Sequence, residues 1–320
     1  MIILVTRATM NLSTLSNNRK QSFHAVKAII YRSDNKLLLQ KRDNNPKISY
    51  PLHWNLFGGE VEIGENLIDA LYRELKEEIE YVPKSIEKEI FQSKWKSFNL
   101  HYFPIFIDKE DENIKFKLNE GIEYKWFSID ELIYLDTVPA IYENLFKISN
   151  FLSTKFNDFK KKHEILIEKN IIKHLNIFKK NNRVYYSKNE KFNLSKKDLY
   201  FFLYLSQLRN IDVSRICLHS DDKSNLHEMY MFHSHPLSVG PLKQNKETIS
   251  YHIIDGLLEI STKDNTNKII LGSELFENET LSKSYRLQPN EFRLVKSISD
   301  YCIFLEVNNG PFEDKDTIWK

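Results

Sequence analysis

The chain has 320 residues, long enough for two ordinary domains, and 41% hydrophobic with 13% aromatic residues suits packed cores rather than disorder. Lys and Arg (46) nearly balance Asp and Glu (44), so a net charge of +2 gives no reason to expect a nucleic acid polymer as partner. Two cysteines, Cys217 and Cys302, exclude a disulfide framework and a cysteine-rich zinc site, and no apolar run reaches the ~18 residues of a membrane span, so a cytoplasmic chain with no membrane partner is expected.

Residues 1 to 22 show no sustained period and are rich in Asn, Ser and Thr, which predicts a loosely held tail. From His24 two β-rich runs, HAVKAIIY and KLLLQKR, flank Ser33-Asp34-Asn35, a hairpin signal. A glycine-bearing loop leads into a helix-period segment from Asn66 to Tyr81, and β-like runs follow near Trp95–Phe98, Tyr102–Ile107 and Glu123–Phe127. This pattern is α+β. Between 139 and 195, Leu145, Ile148, Phe151, Leu152, Phe156 and Phe159 recur at helical spacing and Ile165, Ile167, Ile171 and Ile172 continue it, which predicts a helical connector. Ser195 stands as an N-cap before a short helix, Lys196 to Leu208. Beyond Ile211 the chain is β-rich, and Asp255-Gly256 between YHII and LLEI predicts a tight hairpin.

The segment GGEVEIGENLIDALYRELKEEIEY, residues 58–81, concentrates the chemistry. Glu74, Glu77 and Glu78 are related by i, i+3 and i+4, so they share one helix face with Cβ atoms roughly 5–6 Å apart. Like charges at that spacing, near a helix C-terminus, are unfavourable unless something compensates them. A hard divalent cation is one compensator; a solvated face relieved by Arg73 and Lys76 is the other. Gly58 and Gly59 free the backbone for a tight loop ahead of the helix.

Gly59, Glu65, Arg73, Glu74, Leu75, Glu77 and Glu78 stand in the register of the Nudix box without a gap, so residues 23–138 resemble a Nudix hydrolase domain, an α/β/α sandwich. The box's second glycine is Glu80 here, followed by Tyr81 where an aliphatic residue is usual, so the helix exit is expected to differ. The resemblance implies Glu74 and Glu78 as ligands of Mg2+ or Mn2+, with Glu77 as a further ligand or a water-mediated one and Arg73 orienting the carboxylates. It also implies a supporting role for Gly59 and Glu65 near the substrate, and a base from a later loop, for which Glu120 is the first candidate and Glu123 the second. Trp54, in WNLFGG, resembles a tryptophan that precedes the box and becomes a candidate for substrate stacking, as do Tyr50, His53, Trp95, Phe98 and His101.

Residues 196–320 resemble the WbuC-type cupin family through Arg215-Ile-Cys-Leu-His219, His227-Glu-Met229, His252, Gly256 and Gly310-Pro311-Phe312, which implies an all-β barrel. Aligned without gaps, the metal-ligand positions of that family fall on Leu242, Gln244, Ile249 and Arg293, so the barrel is expected to be metal-free. His219, His227, His252 and Arg293 then become candidates for a pocket that takes a ligand without metal. The pair His233-Ser-His235 has ligand-like spacing but falls one strand early.

The expected function is a metal-dependent pyrophosphohydrolase acting on a nucleotide-type small molecule, with a nucleotide sugar suggested by the cupin resemblance; a homodimer is compatible with it. The alternative is a nucleotide-sensing Nudix domain coupled to a ligand-binding cupin domain.

Overall fold

The computed structural model describes residues 6–7, 23–108, 114–155, 159–189, 191–245, 248–262, 267–276, 281–311 and 313–320. The chain divides into two compact units, Ser16–Asn170 and Met1–Leu15 with Ile171–Lys320. Of the expected tail, Thr6–Arg7 is described, as the two-residue strand β1 of the second unit; its other residues lie outside the described set.

In the first unit, β2 (Phe23–Arg32) runs to β3 (Leu37–Lys41) through the predicted turn, where Asn35 takes φ +64° and Asn35 N–H donates to the Arg32 carbonyl. β4 (Trp54–Asn55) precedes α1 (Leu67–Ile79); then come β5 (Phe91–Trp95), β6 (Phe98–Ile107) and β7 (Glu123–Phe127). The sheet order is β4-β3-β2-β6-β5, with β7 also on β3, and β2 pairs parallel to β6 from Phe23↔Phe98 to Arg32↔Ile107. A strand paired on both edges and covered on both faces reads as the near-continuous apolar run seen in β2. On one face Leu71, Leu75 and Ile79 of α1 pack on Val26, Ala28 and Ile30. On the other lie α2 (Pro139–Tyr142) and α3 (Leu145–Lys155): Tyr102 Oη donates to the Ala140 carbonyl, and Phe151 meets Tyr31 edge-on at 5.4 Å. This is the expected α/β/α arrangement.

The stretch 139–195 is not purely helical. After α4 (Phe159–His174), the strands β8 (Ile177–Lys179) and β9 (Val184–Ser187) form a hairpin at the edge of the second sheet. α5 (Lys196–Leu208) begins with the predicted Ser195 cap, a capping box closed by Asp198. The strands β10 (Val213–Cys217), β11 (Leu226–His233), β12 (Leu237–Gln244), β13 (Ile249–Thr262), β14 (Asn267–Gly272), β15 (Ser284–Leu287), β16 (Arg293–Asn309) and β17 (Thr317–Trp319) complete the sheet.

Its path runs β1-β12-β16-β11-β10-β9-β8, with β13 pairing β14, β15 and β16, and β17 pairing β12. Among the described residues the path does not return on itself, so the closed cupin-like barrel expected from the resemblance is not formed. The reason lies in two long strands. β13 pairs β15 and the end of β16 through Ile249–His252, then β14 and the start of β16 through Leu257–Thr262. Register shifts at Ile253/Asp255 and Gly256/Leu258 bend it between the two wings. Ile249, Tyr251, Leu258 and Ile260 nevertheless share one core, so the wings fold over a common interior.

The same bend corrects the hairpin expected at Asp255-Gly256. A two-residue hairpin turn needs φ above zero at its first central residue, in type I′ and type II′ alike, whereas Gly256 (φ +94°), the second residue of the pair, has it and Asp255 does not. Asp255 is buried and bonded to Ser273 Oγ (2.8 Å), and Tyr200 Oη donates to it. The pair is a bulge inside one strand.

Candidate active site

Helix α1 starts where Asn66 caps it, its side-chain oxygen accepting from Ile68 and Asp69 N–H at 3.0 Å. It ends at Glu80, which adopts the left-handed conformation (φ +49°), while Glu80 N–H donates to Lys76 and Tyr81 N–H to Leu75. The exit thus keeps the conformation that a glycine would supply, and the departure at Glu80 costs strain rather than a new path.

The acidic face is divided by burial. Glu78 is 6% exposed, accepts from Gly58 N–H (2.8 Å) and from the Gln40 amide (2.5 Å), and burial pushes its carboxyl up to about 7 despite Lys27 nearby. Glu74 is raised too, again by burial first, with Arg73 opposing. Its carboxylate lies against Gly59: a Cβ there would fall 2.5 Å and 2.6 Å from the two oxygens and push this carboxylate aside. Gly58 (φ +109°) has a matching constraint from the Val26 carbonyl. Glu77 is half-exposed and held by Arg73 at 3.2 Å.

Arg73 is the hub. It grips Glu65 with two bonds of 3.0 Å, Glu74 at 2.7 Å and the Glu60 carbonyl at 3.0 Å. Glu65 therefore ties the loop to the helix.

The oxygens of Glu74, Glu77 and Glu78 are hard donors of the kind a divalent cation takes, and the Gly59 cradle admits the Glu74 carboxylate. Among the described residues, however, no three His, Cys, Asp or Glu side chains converge as a ready ligand cluster. Arg73 holds both Glu74 (2.7 Å) and Glu77 (3.2 Å), so the donor set fits a cation in kind.

Lys27 was not singled out by the sequence reading, although a lysine inside an apolar strand is a signal. Its Nζ donates to the Gly58 carbonyl (2.6 Å), and burial lowers its pKa while Glu78 and Glu74 oppose the shift. Beside it opens a pocket of about 250 Å³ lined by Lys27, Arg42, Tyr50, Gly59, Trp95 and Phe98 among others. Tyr50 and Trp95 approach at 6.2 Å. Trp54 does not line it: the ring is buried against Phe127 at 4.6 Å, a core residue rather than a stacking platform. His53 bonds the Pro51 carbonyl (2.8 Å), and His101 is buried in a chain with His24 (2.8 Å) and Glu89 (2.9 Å).

Glu120 sits exposed in the loop before β7. Its neighbours anchor that loop to the site, Asn119 N–H donating to the Glu78 carbonyl (2.8 Å) and the Asn119 amide to the Glu77 carbonyl (3.0 Å). Glu123 instead pairs with Lys41 at 3.5 Å.

The NUDIX domain family model matches residues 22–147. Residues 22–147 are a Nudix domain. The chain is 28% identical over 127 residues to an RNA pyrophosphohydrolase of Pelagibacter ubique, covering 34% of this chain and 78% of that protein. It is 48% identical over 60 residues to an ADP-ribose pyrophosphatase of Methanocaldococcus jannaschii, 19% of this chain and 33% of that protein, so it spans a third of that relative. Among solved structures it is similar to a MutT protein of Methanosarcina mazei Go1 (24% identity, 44% of this chain and 99% of that one, TM-score 0.34). The Nudix domain is that of a hydrolase of diphosphate bonds.

In the second unit, His219 and His227 stack at 4.1 Å and 5°, whereas His252 is exposed on β13. Arg293 is buried and donates to Tyr251 Oη (2.7 Å) and Gln244 Oε1 (3.1 Å). The four candidates do not form one pocket-lining set: His252 stands apart. His233 is buried beside Ser297, and His235 turns to Asp212 at 3.2 Å.

Proposed function

We propose that the Nudix domain is a divalent-metal-dependent pyrophosphohydrolase that splits the diphosphate of a nucleoside diphosphate joined to another moiety, with nucleotide sugars as the first class to test. The observation that carries this reading is the shared wall at Gly59: its missing Cβ seats the Glu74 carboxylate, and it also lines the pocket with Lys27, Arg42, Tyr50 and Trp95. Acid face and binding pocket are thus back to back. A 60-residue match to an ADP-ribose pyrophosphatase supports a diphosphate flanked by sugar.

In this reading Tyr50, Trp95 and Phe98 offer rings to a base. Lys27 and Arg42 face the diphosphate, where two cations offset its charge. Mg2+ or Mn2+, when bound, would be held by Glu74 and Glu78 with Glu77 and would supply Lewis acidity at the diphosphate. Arg73 keeps Glu74 and Glu77 aimed from one guanidinium. Glu120, on the loop that Asn119 pins to α1, accepts the proton of the attacking water.

The test is turnover of a panel of nucleotide sugars, dinucleoside polyphosphates, oxidised nucleotides and 5′-triphosphorylated RNA, with Mg2+, with Mn2+ and with chelator. Metal-dependent release of a nucleoside monophosphate and a sugar phosphate is expected. Turnover unaffected by chelator, or no diphosphate cleaved with either metal, would overturn the reading.

A further inference from the structure

The inner face of the second sheet carries charge where an interior face is ordinarily apolar. Strand register places Cys217, Met229, Glu306 and Tyr251 in one row across β10, β11, β16 and β13. Arg215 faces Met231 in the row on one side of it, and His227 faces Asn308 in the row on the other. Paired residues point to the same side of a sheet, so these side chains share a face. β10, β11 and β16 all have neighbours on both edges. Even so Arg215, Met231 and Glu306 are half-buried rather than buried, so this face is not a sealed core.

Three side-chain atoms on this face are buried without a hydrogen-bond partner: Arg215 Nε, His227 Nε2 and Asn308 Oδ1. His227 and Asn308 are each 4% exposed and sit opposite one another. An unsatisfied buried polar atom costs on the order of 1–3 kcal/mol, and native proteins keep few of them. Three on one face that is not sealed point to a ligand that supplies the missing partners.

The charges select its class. Arg293 is engaged by Tyr251 and Gln244, while Arg215 leaves a guanidinium N–H uncommitted. Arg293 and Arg215 both act on Glu306, whose carboxyl burial pushes up. Asp222 also acts on Arg215 but is paired with Lys180 at 2.6 Å, so two guanidiniums against one reluctant carboxylate leave a positive surplus. Arg215 also lies close enough to act on His219 and His227, whose pKa values burial lowers, His219 to about 4. The unpaired Asn308 Oδ1 is an acceptor and needs a donor, which a hydroxyl supplies and an anion does not.

We propose that this face of the second unit binds a small polyhydroxylated anion, a sugar phosphate or sugar acid, with its anionic head on Arg215 and its hydroxyls on His227 and Asn308. The site lies wholly within the second unit and is independent of the hydrolase site.

Calorimetric titration of the full chain with glucose 6-phosphate, gluconate, glucose and inorganic phosphate tests it. Glucose 6-phosphate or gluconate should bind saturably, and which of them binds tells a phosphate head from a carboxylate. Glucose should bind at least about tenfold more weakly, as should the anion to Arg215→Gln. Asn308→Ala should weaken binding by about threefold or more, since it removes one hydroxyl partner. Glu78→Gln should leave the affinity unchanged, which separates this site from the hydrolase site. If Arg215→Gln loses its native circular dichroism, Asn308→Ala and His227→Phe carry the same comparison. No saturable binding of either polyol anion overturns the proposal, as does binding that survives Arg215→Gln or disappears in Glu78→Gln; affinity for inorganic phosphate equal to that for glucose 6-phosphate overturns the polyol assignment.

Discussion

Glu78 is a carboxyl whose protonation is set mainly by burial: about 7 in the folded chain against an ordinary 4.5. The folded state therefore holds a proton that the unfolded state releases, and the stability contributed here falls as pH rises from 4.5 through 7. Glu78→Gln keeps the shape of the side chain and can keep both hydrogen bonds if the Gln40 amide turns over. Metal-free thermal melts should show Glu78→Gln more stable than wild type at pH 8, by roughly 2–4 kcal/mol, with the gap closing near pH 5. The same variant should lose at least about 100-fold in kcat with Mg2+, because a hard anionic ligand is gone. Wild-type turnover by Glu78→Gln would show that the metal assignment is wrong. For Glu120→Gln, a drop in kcat with little change in KM is expected of a group that acts in the transition state. Should Glu120→Gln be unaffected and Glu123→Gln be slow, the role moves to Glu123, at the cost of its Lys41 contact.

At the scale of elements, what the sequence made legible was local. α1 begins at its Asn66 cap, and α5 spans the Lys196–Leu208 predicted from Ser195, because caps and apolar period are encoded within a few residues. The turn at Ser33–Asn35 was legible for the same reason. Long-range pairing was not: no periodicity says that β13 passes through Asp255-Gly256 without turning, since that depends on the burial of Asp255 against Ser273 and Tyr200. The site shows the same divide. The acidic spacing on α1 was readable, whereas the contribution of Lys27 and Gln40 needs β2 and β3 brought over Gly58. Trp54 read as a stacking ring because its sequence neighbours are the glycine loop, yet the β4–β3 pairing turns it into the core. The helix exit offers a prediction at this scale. Glu80 holds a left-handed φ that disfavours any residue with a Cβ, and its partner Lys117 is exposed, so that pair contributes little. Glu80→Gly should raise Tm by about 1–3 °C with turnover unchanged. A fall in Tm would mean that the Lys117 and Asn119 contacts outweigh the strain.

Across the whole molecule, Glu78 of the first unit and His233 of the second respond to pH in opposite directions. The first unit holds a carboxyl raised by burial, Glu78, and relaxes as acid protonates it. The second holds a buried histidine: His233 is 2% exposed, bonded to Ser297 Oγ at 3.2 Å and faced edge-on by Phe304, and burial with His235 nearby lowers its pKa to about 3. An imidazole kept neutral in the fold binds its proton more readily when unfolded. Below the ordinary value of 6.5 the unfolded state takes up that proton, so stability from this group is full above 6.5 and is lost as pH falls toward 3. The loss approaches about 1.4 kcal/mol per pH unit over that window. Acid should therefore unfold the second unit first, while the first unit still keeps its protonated Glu78 without penalty. Hydrogen exchange followed from pH 7 to pH 4 should show protection in β11 and β16 falling before protection in β2 and β6. His233→Asn retains a partner for Ser297 but cannot titrate, so it should lower stability at pH 7, through the lost ring contact with Phe304, and flatten its dependence between pH 6.5 and 4. Parallel losses in wild type and His233→Asn over that range would assign the acid sensitivity to other groups.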